Sequence, residues 1–320
     1  VQRELPEFAR VMSYVATDIA PPYGTESVSD NSALPVGITG CVISNELLDA
    51  QAVNRFVVQD GEVREIYVDY QDGQFVESLG EVSDPEITGR VEPFLGSLPE
   101  FYRGEVNLRL GYWADSVAAT LECGYVMTID YGYDRPELYK PTRVDGSLRC
   151  YYQHTLSQNL LSRIGKQDIT AHVDFTTVDH MLMVMGIERI GKLSQQEFLS
   201  NLGIDVFLSE VNERAMMGKI SRTEAQEDIA GIGSLIDPEG LGRFRVAVHS
   251  RADEGERERL RSLTGVVGGL PLSGSHNAPM LNNSSADHAR LLRASNPLAL
   301  PRQPQTSEMP TWEQLFSDEP

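Results

Sequence analysis

The feature that most constrains the fold is an apolar helical stripe that runs directly into a strand-like segment. Five large apolar residues recur at spacings of three and four, and they are Val106, Leu110, Trp113, Val117 and Leu121. Gly124 follows as a predicted C-cap, and residues 125–130 form an apolar run that ends in Asp130. A strand, a helix of this length and a second strand are typical of a parallel crossover, which predicts an α/β domain.

Other short segments predict further strands. Residues 14–18 read as a strand that ends in Asp18, and residues 41–44 read as a second, buried strand. Residues 56–76 predict a β-meander with turns at Asp60-Gly61 and Asp72-Gly73, because Asp-Gly readily adopts the positive φ of hairpin turns. The amino-terminal third is therefore expected to combine a sheet with a meander insertion.

The remainder of the chain divides into a mixed region and a polar tail. Residues 172–175 predict an extended segment, and a helical stripe, two capping boxes and a closing strand at 244–248 follow. The stripe is Val178, Met181, Leu182 and Met185, and the capping boxes pair Ser194 with Glu197 and Ser221 with Glu224. We expect three regions: 1–133, 134–250, and a disordered or loosely docked tail, 251–320, ending in a Trp312, Leu315 and Phe316 motif.

Composition and charge exclude several classes of partner. Lys and Arg total 27 against 47 Asp and Glu, a net charge of −20 that repels nucleic acid and anionic membranes. No apolar run approaches the roughly 20 residues that span a bilayer. Three cysteines without zinc-type spacing predict neither a disulfide scaffold nor a metal site, and they favour a reducing compartment.

Acidic residues that follow predicted strands are the first candidates for a site, since ligands of open α/β sheets bind beyond the carboxyl ends of strands. Asp18 could hold a ribose diol or serve as a helix cap or surface acid. Glu46 and Asp49 would share one face if a helix began there, and they would then repel each other. A guanidinium or a metal between them, or a charged first helical turn, would each account for the pair.

Two later segments concentrate Tyr, His and Asp in strand-like stretches. They contain His154, His172 and Asp174, and with Asp130 and Tyr131 these residues are the candidates for the substrate side of a site. A single histidine in such a run is more often structural than catalytic, and that reading stays open for His154 and His172.

Five motifs in succession resemble the MidA family of S-adenosylmethionine-dependent methyltransferases of bacteria and mitochondria. They are SNELLDA at 44–50, IDYG at 129–132, GSLRCY at 146–151 with His154, QDITAHVDF at 167–175 and PEGLG at 238–242. The resemblance covers about residues 5–250. It implies an open, mostly parallel Rossmann-like methyltransferase sheet with β-meander and helical insertions, of which residues 1–133 would be the remaining part of the cofactor-binding core.

The resemblance also assigns roles to individual residues. Asp18 would lie where the family grips the cofactor ribose, although the residues after it depart from the family pattern. Ser44 and Asn45 would contact S-adenosylmethionine, and Asn45, Glu46 and Asp49 would hold the substrate guanidinium. The glycine-rich cofactor loop of the family would precede residue 1, so we expect an N-terminally truncated chain that binds cofactor weakly.

The function implied by the resemblance is protein arginine N-methylation. The expected partners are an arginine-bearing protein, with a respiratory complex I subunit as the implied example, and a second copy in a homodimer. The bacterial cytoplasm, or the mitochondrial matrix in a eukaryote, is the expected location. A non-catalytic methyltransferase-like assembly or binding factor is the main alternative, and a methyltransferase acting on a small molecule or another side chain is the second.

Overall fold

The computed structural model describes residues 12–15, 34–152, 155–157 and 159–252. The strands in these residues are β1 (Ile38–Asn45), β2 (Asn54–Gln59), β3 (Glu62–Gln71), β4 (Gln74–Gly80), β5 (Arg103–Val106), β6 (Leu121–Asp130), β7 (Gly132–Tyr133), β8 (Arg149–Tyr152), β9 (Thr155–Ser157), β10 (Asp168–Thr170), β11 (Val173–Asp174), β12 (Glu188–Ser194) and β13 (Arg245–Arg251). The helices are α1 (Pro85–Val91), α2 (Leu110–Thr120), α3 (Arg135–Leu138), α4 (Phe175–Val184), α5 (Gln195–Asn201), α6 (Ile204–Met216) and α7 (Arg222–Ile236).

The main sheet has the strand order β1-β6-β13-β12. β1 and β6 pair in parallel, whereas β13 is antiparallel to both β6 and β12. β1, β6 and β12 therefore run in one direction and β13 runs in the other. This arrangement confirms an α/β fold in which three of the four strands of the described main sheet run in one direction, and it brings the carboxyl ends of β1 and β6 to the same edge.

Helices α2 and α4 contribute to the apolar core beside this sheet, and α2 lies between β1 and β6 along the chain, as the crossover requires. The buried core side chains are Leu48, Leu110, Ala114, Val117, Leu121, Val126, Val173, Phe175, Val178, Leu182, Ile187 and Ala247. Burying each of the larger ones contributes about 1.5–3 kcal/mol of transfer free energy as an upper estimate. The core spans residues 48 to 247, so it ties the sheet to segments distant in sequence.

The helical stripe is shorter than the spacing predicts. Val106 ends β5, whose backbone pairs with β2, and Leu121 is already the first residue of β6. Gly124 does not cap the helix but lies within β6 at φ +131°, where a Cβ would approach the Gly40 carbonyl oxygen to 1.9 Å. The apolar spacing predicts too long a helix because buried residues of the flanking strands, Val106 and Leu121, continue the helical spacing at its two ends.

The predicted meander is confirmed as the antiparallel sheet β4-β3-β2-β5. Both turns have positive φ at Asp and at Gly, with Asp60 at +53° and Asp72 at +50°, as expected of a type I′ hairpin. One face of this insertion packs on a second apolar core that includes Phe56, Ile87 and Tyr102. The insertion thereby has its own hydrophobic support beside the main sheet.

Residues 130–252 add two small sheets, and in the same region helices α5, α6 and α7 pack against one another. β7 pairs in parallel with β11, and β8 lies between β9 and β10 in an antiparallel sheet. Both predicted capping boxes are present, at Ser194 with Glu197 and at Ser221 with Glu224. The extended segment predicted at 172–175 is shorter than expected, since Phe175 already begins α4.

The predictions for the strand at 41–44, the strand at 14–18 and the tail have different outcomes. The strand at 41–44 forms, but burial alternates along it and Cys41 is exposed, so it is not buried throughout. Residues 14 and 15 carry no strand, while Asp18 and the tail with its Trp312, Leu315 and Phe316 motif lie outside the described residues. None of the helices that the structure describes has the length and apolar character needed to cross a bilayer.

Candidate active site

The loop after β1, residues 46–50, is fixed by backbone contacts to the end of β6. Glu46 adopts a left-handed conformation at φ +47° and donates its N–H to the carbonyl of Ile129 at 2.9 Å. The amides of Leu48 and Asp49 donate to Oδ2 of Asp130 at 3.0 Å and 3.3 Å. The helix that would place Glu46 and Asp49 on one face is therefore absent, because these contacts hold the chain in a tight loop.

Asp49 is buried and its carboxylate is only partly satisfied. Oδ2 accepts a short hydrogen bond from the Tyr131 hydroxyl, whereas Oδ1 is buried without a partner among the described residues. Burial raises the pKa of Asp49, and the hydrogen bond from Tyr131 acts in the opposite direction. The backbone carbonyl of Asp49 accepts from Ala171 at 2.9 Å, which links this loop to the 167–175 motif.

Glu46 is half-buried beside Asp49. Burial raises the pKa of Glu46, the Asp49 charge raises it further, and a hydrogen bond of 3.3 Å from the Asn45 carboxamide partly offsets both. The loop thus brings together the two carboxylates and the carboxamide that the sequence singled out. Two carboxylates this close favour a bound cation or a shared proton between them.

Asp130 and Asp174, candidates for the substrate side, are buried and have positioning contacts. Asp130 is fully buried, and burial and the Asp49 charge raise its pKa well above the usual value. Asp174 caps α4 by accepting from the Thr177 amide at 3.1 Å, and it binds Arg135 at 3.0 Å. Their carboxylates are therefore engaged in holding the loop and the helix start.

Tyr131 and His172 meet through the parallel pairing of β7 with β11. Their ring centroids are 5.6 Å apart in an edge-to-face contact, and the ring centroid of Tyr133 lies 5.2 Å from that of His172. A Cβ at Gly132 would come within 2.1 Å of the Val173 carbonyl oxygen, so only glycine permits this approach of the two backbones. The Tyr-Gly-Tyr segment thereby aligns two phenols along one histidine.

His172 has an unusual environment for a histidine. Burial lowers its pKa to about 4, with further contributions from the charges of Arg143, Arg149 and Arg243. Its Nδ1 is buried without a partner in the described part of the chain, and its backbone N–H donates to Oγ of Ser147 at 3.0 Å. His172 is therefore neutral at physiological pH and lies between an acidic loop and a basic group of side chains.

The predicted cofactor contacts lie at the same edge of the sheet. Ser44 is buried, with an Oγ that lacks a partner among the described residues, and Asn45 is exposed at the end of β1. Asp18 and His154 fall outside the described residues, so the structure provides no position for them. Sequence reasoning did not single out Tyr133, Arg143 or Arg243, although the PEGLG motif lies directly before Arg243.

The comparison with protein families decides the identity of this fold. Residues 22–193 match the family described as "Putative S-adenosyl-L-methionine-dependent methyltransferase". The chain belongs to this methyltransferase family. The MidA resemblance of the five sequence motifs is thereby confirmed.

Relatives within the family carry protein arginine methyltransferase names. The mitochondrial protein arginine methyltransferase NDUFAF7 of Mus musculus is 28% identical over 224 residues, which is 68% of this chain and 48% of the relative. The protein of the same name from Homo sapiens is 26% identical over 223 residues, or 68% of this chain and 47% of the relative. The chain thus spans about half the length of these curated relatives.

A solved structure of the family supports the fold and the cofactor class. A superfamily member from Burkholderia thailandensis, bound to S-adenosyl-homocysteine, is 30% identical with a TM-score of 0.62. The match covers 70% of this chain and 56% of that one. In the part of the chain that the structure describes, no three His, Cys, Asp or Glu side chains come together as a metal site.

The described residues at this edge are compatible with the family's cofactor. The partnerless Ser44 hydroxyl and the exposed Asn45 carboxamide both retain hydrogen-bonding capacity at the carboxyl end of β1. Ligands of open α/β sheets bind beyond such strand ends. S-adenosyl-L-methionine is the cofactor that the family description names, and the related structure is bound to S-adenosyl-homocysteine.

Proposed function

We propose that the protein transfers a methyl group from S-adenosyl-L-methionine to a guanidino nitrogen of an arginine in a protein substrate. The observation that carries this proposal is the Glu46–Asp49 pair: Oδ1 of Asp49 is buried without a partner among the described residues, Glu46 is half-buried, and neither forms an ion pair with a described lysine or arginine. Burial raises the pKa of both carboxyl groups. A guanidinium would relieve the repulsion and match the planar geometry of the carboxylates. The names of the relatives support the same substrate class.

The cofactor, when bound, supplies a methyl group on a sulfonium. Ser44 and Asn45 are the described residues proposed to contact it, and Asp18 is the proposed ribose partner among residues the structure does not describe. As the N–C bond forms, the S–C bond would break and leave a neutral thioether that needs no acid, so the protein's contribution is to hold the nucleophile in line and close to the methyl. The fixed loop at residues 46–50 is suited to that positioning task.

Arginine is a demanding nucleophile because its guanidinium stays protonated, with a pKa above about 12. Glu46 and Asp49 would attract the positive charge toward two of the nitrogens and leave the third more nucleophilic. Tyr131 would keep Oδ2 of Asp49 oriented through its hydroxyl, and the amides on Asp130 would keep the loop from relaxing. The residues thus divide into two that touch the substrate and two that position them.

The identity and location of the substrate are further parts of the proposal. A respiratory complex I subunit, implied by the MidA resemblance, is the first protein to test, with the matrix as its location in a eukaryote and the cytoplasm in a bacterium. The mitochondrial names of the relatives support the matrix as the location in a eukaryote. A homodimer is also proposed, and light scattering would measure it.

The deciding experiment is methyl transfer followed by residue-resolved mass spectrometry. The protein is incubated with isotope-labelled S-adenosylmethionine and a panel of peptides that carry one arginine, with matched lysine peptides as controls. Label on arginine alone supports the proposal. Label on lysine, or on small molecules of a cell extract instead, contradicts the arginine assignment, and cofactor binding without any transfer favours the assembly-factor alternative.

A further inference from the structure

Arg143 and Arg243 both contact Tyr133 beside His172, and Arg149 adds its charge at His172; we refer to these three residues as the arginine cluster. The guanidinium carbon of Arg143 lies 4.4 Å above the Tyr133 ring, and Nη2 of Arg243 donates to the Tyr133 hydroxyl at 3.2 Å. Arg149 contributes to the same field at His172. Arg143 and Arg149 come from one stretch of the chain and Arg243 from a distant one, so the tertiary fold brings the cluster together.

The described residues include no ion pair for the three arginines of the cluster, and the acid whose pKa the charge of Arg143 lowers is Glu137. The ion pairs formed by described arginines involve Arg55, Arg64, Arg90, Arg103, Arg135 and Arg189. The arginine cluster has no such partner there, although acids outnumber bases by 47 to 27 in the whole chain. Like charges repel, so three arginines left together in an acidic protein indicate a binding requirement more than a contribution to stability.

The surrounding groups respond to this field. Burial would raise the pKa of Tyr133, yet hydrogen bonding and charge from Arg143 and Arg243 lower it overall. Nε of Arg143 and Nδ1 of His172 are both buried without a partner among the described residues. Cation–π stacking on Tyr133 explains the position of Arg143 but leaves the exposed Arg243 and Arg149 guanidinium groups available to a ligand.

The cluster is joined to the acidic loop by a short path of aromatic rings. Tyr131, whose hydroxyl binds Asp49, lies 5.6 Å from His172, and His172 lies 5.2 Å from Tyr133 under the arginines. Tyr131 and Tyr133 are two positions apart in the chain, and an extended polypeptide rises about 3.3 Å per residue, so we take two to four residues as the spacing to test. One substrate segment could therefore occupy both the acidic and the basic end of the site.

We propose that the arginine cluster binds the carboxylate of an acidic residue of the protein substrate, two to four positions from the arginine held by Glu46 and Asp49. This inference rests on the proposed function, which supplies the arginine. Arginine forms paired, charge-assisted hydrogen bonds with carboxylates, and this geometry suits it to the recognition of an acidic side chain. The site then selects a cationic residue followed or preceded at short range by an anionic one.

The test measures peptide binding independently of methyl transfer. Fluorescent nine-residue Gly/Ser peptides carry one central arginine and, at two, three or four positions from it, either Glu or Gln. Fluorescence anisotropy with the full chain gives the dissociation constant of each. We expect the best Glu peptide to bind about tenfold more tightly than its Gln partner, which corresponds to about 1.4 kcal/mol.

Variants of the arginine cluster identify the residues responsible. R143Q and R243Q should each reduce the preference for Glu to less than about threefold, while R64Q, which removes an exposed arginine paired with Glu81, should leave it unchanged. R243E should instead prefer a peptide with Lys at the same position. Circular dichroism and the affinity for the Gln peptide report whether each variant remains folded.

The outcomes separate this inference from the proposed function. Cluster-dependent preference for Glu without methyl transfer supports the anionic subsite and removes the proposed chemistry. Methyl transfer with equal binding of Glu and Gln peptides overturns the subsite alone. A loss of S-adenosylmethionine affinity in R143Q or R243Q, with an unchanged preference for Glu, also overturns the inference, because the cluster would then serve the cofactor carboxylate.

Discussion

At the scale of single residues, the acidic side chains of the candidate site differ in how many of their oxygens already have hydrogen-bond partners. Four acids lie near the end of the sheet, yet Asp130 and Asp174 are fully engaged in backbone and arginine contacts. Asp49 keeps one oxygen free of partners in the described structure, and Glu46 keeps its carboxylate half-exposed. The pair with unused acceptor capacity is the one suited to bind a substrate.

Glu46 is the first residue to test. We expect E46Q to retain S-adenosylmethionine affinity and to lower arginine methyl transfer by at least about tenfold, roughly 1.4 kcal/mol of transition-state stabilisation. Gln preserves the shape of Glu46 but carries no charge to polarise a guanidinium. Steady-state kinetics and calorimetry measure both quantities, with E62Q at an exposed glutamate as the control. Unchanged turnover in E46Q would remove Glu46 from the mechanism.

Tyr131 tests the ionisation of Asp49. Glu46 and Asp49 bind the cation in their ionised forms, so activity should fall as the pH decreases through their pKa values. Because both pKa values are raised, this fall should occur at a higher pH than for ordinary carboxyl groups, whose pKa is about 4. Y131F removes the hydrogen bond that lowers the pKa of Asp49, so the acid limb of kcat/KM against pH should move to still higher pH. We also expect about a tenfold loss of kcat/KM near neutrality. An acid limb that does not move would show that Asp49 does not control it.

At the scale of elements, the short parallel pair β7 and β11 organises the site more than its length suggests. It places Tyr131 and Tyr133 along His172, and its two backbones approach so closely at Gly132 that no Cβ fits. The Ser147 hydroxyl adds a contact to the His172 amide and donates to Glu105, which ties the pair to the meander insertion. A small element therefore connects the two parts of the described fold.

Gly132 provides the corresponding prediction. G132A should force β7 and β11 apart, lower the free energy of unfolding by about 2–3 kcal/mol and reduce activity together with it. G111A is the matched control, since nothing lies within 4 Å of a Cβ there and the residue is inside α2. The control should gain up to about 1 kcal/mol. Denaturant unfolding measures both, and equal stabilities of the two variants would contradict the close approach.

At the scale of the whole molecule, net charge governs encounter with a substrate. The chain carries −20 at neutral pH, while the arginine cluster is a local exception close to the site. A cationic segment is attracted over a long range by the net charge, and an acidic residue within it finds a favourable position only beside the cluster. The net negative charge of the chain therefore provides the long-range attraction, whereas the positively charged arginine cluster provides the short-range selection.

The salt dependence of association tests this division. Raising the ionic strength from 10 mM to 1 M shortens the screening length from about 30 Å to about 3 Å. The association rate of an arginine peptide should then fall about tenfold, with a smaller change in its dissociation rate. Stopped-flow fluorescence measures both, and a citrulline peptide without the charge should show little change. An association rate that does not change with ionic strength would mean that net charge plays no part in the encounter with the peptide.

Several features of this protein could be predicted from the sequence because they depend on a few neighbouring residues. The two Asp-Gly turns follow from the φ preferences of those residues, and the capping boxes at Ser194 and Ser221 follow from hydrogen bonds between residues three apart. The order of five motifs identified the family. The roles of Asn45, Glu46 and Asp49 in catalysis, and of Ser44 in cofactor binding, stay predictions.

The tertiary structure alone decided how these segments meet. The spacing of Glu46 and Asp49 would place both on one face if a helix began there, but the amide of Leu48 donates to Asp130, 82 residues away, and this contact holds a loop instead. The hydrogen bond between Tyr131 and Asp49 and the gathering of the arginine cluster around His172 likewise join distant segments. Short-range patterns record the preferences of neighbouring residues, whereas the pairing of strands and the packing of the core determine which distant side chains share a site.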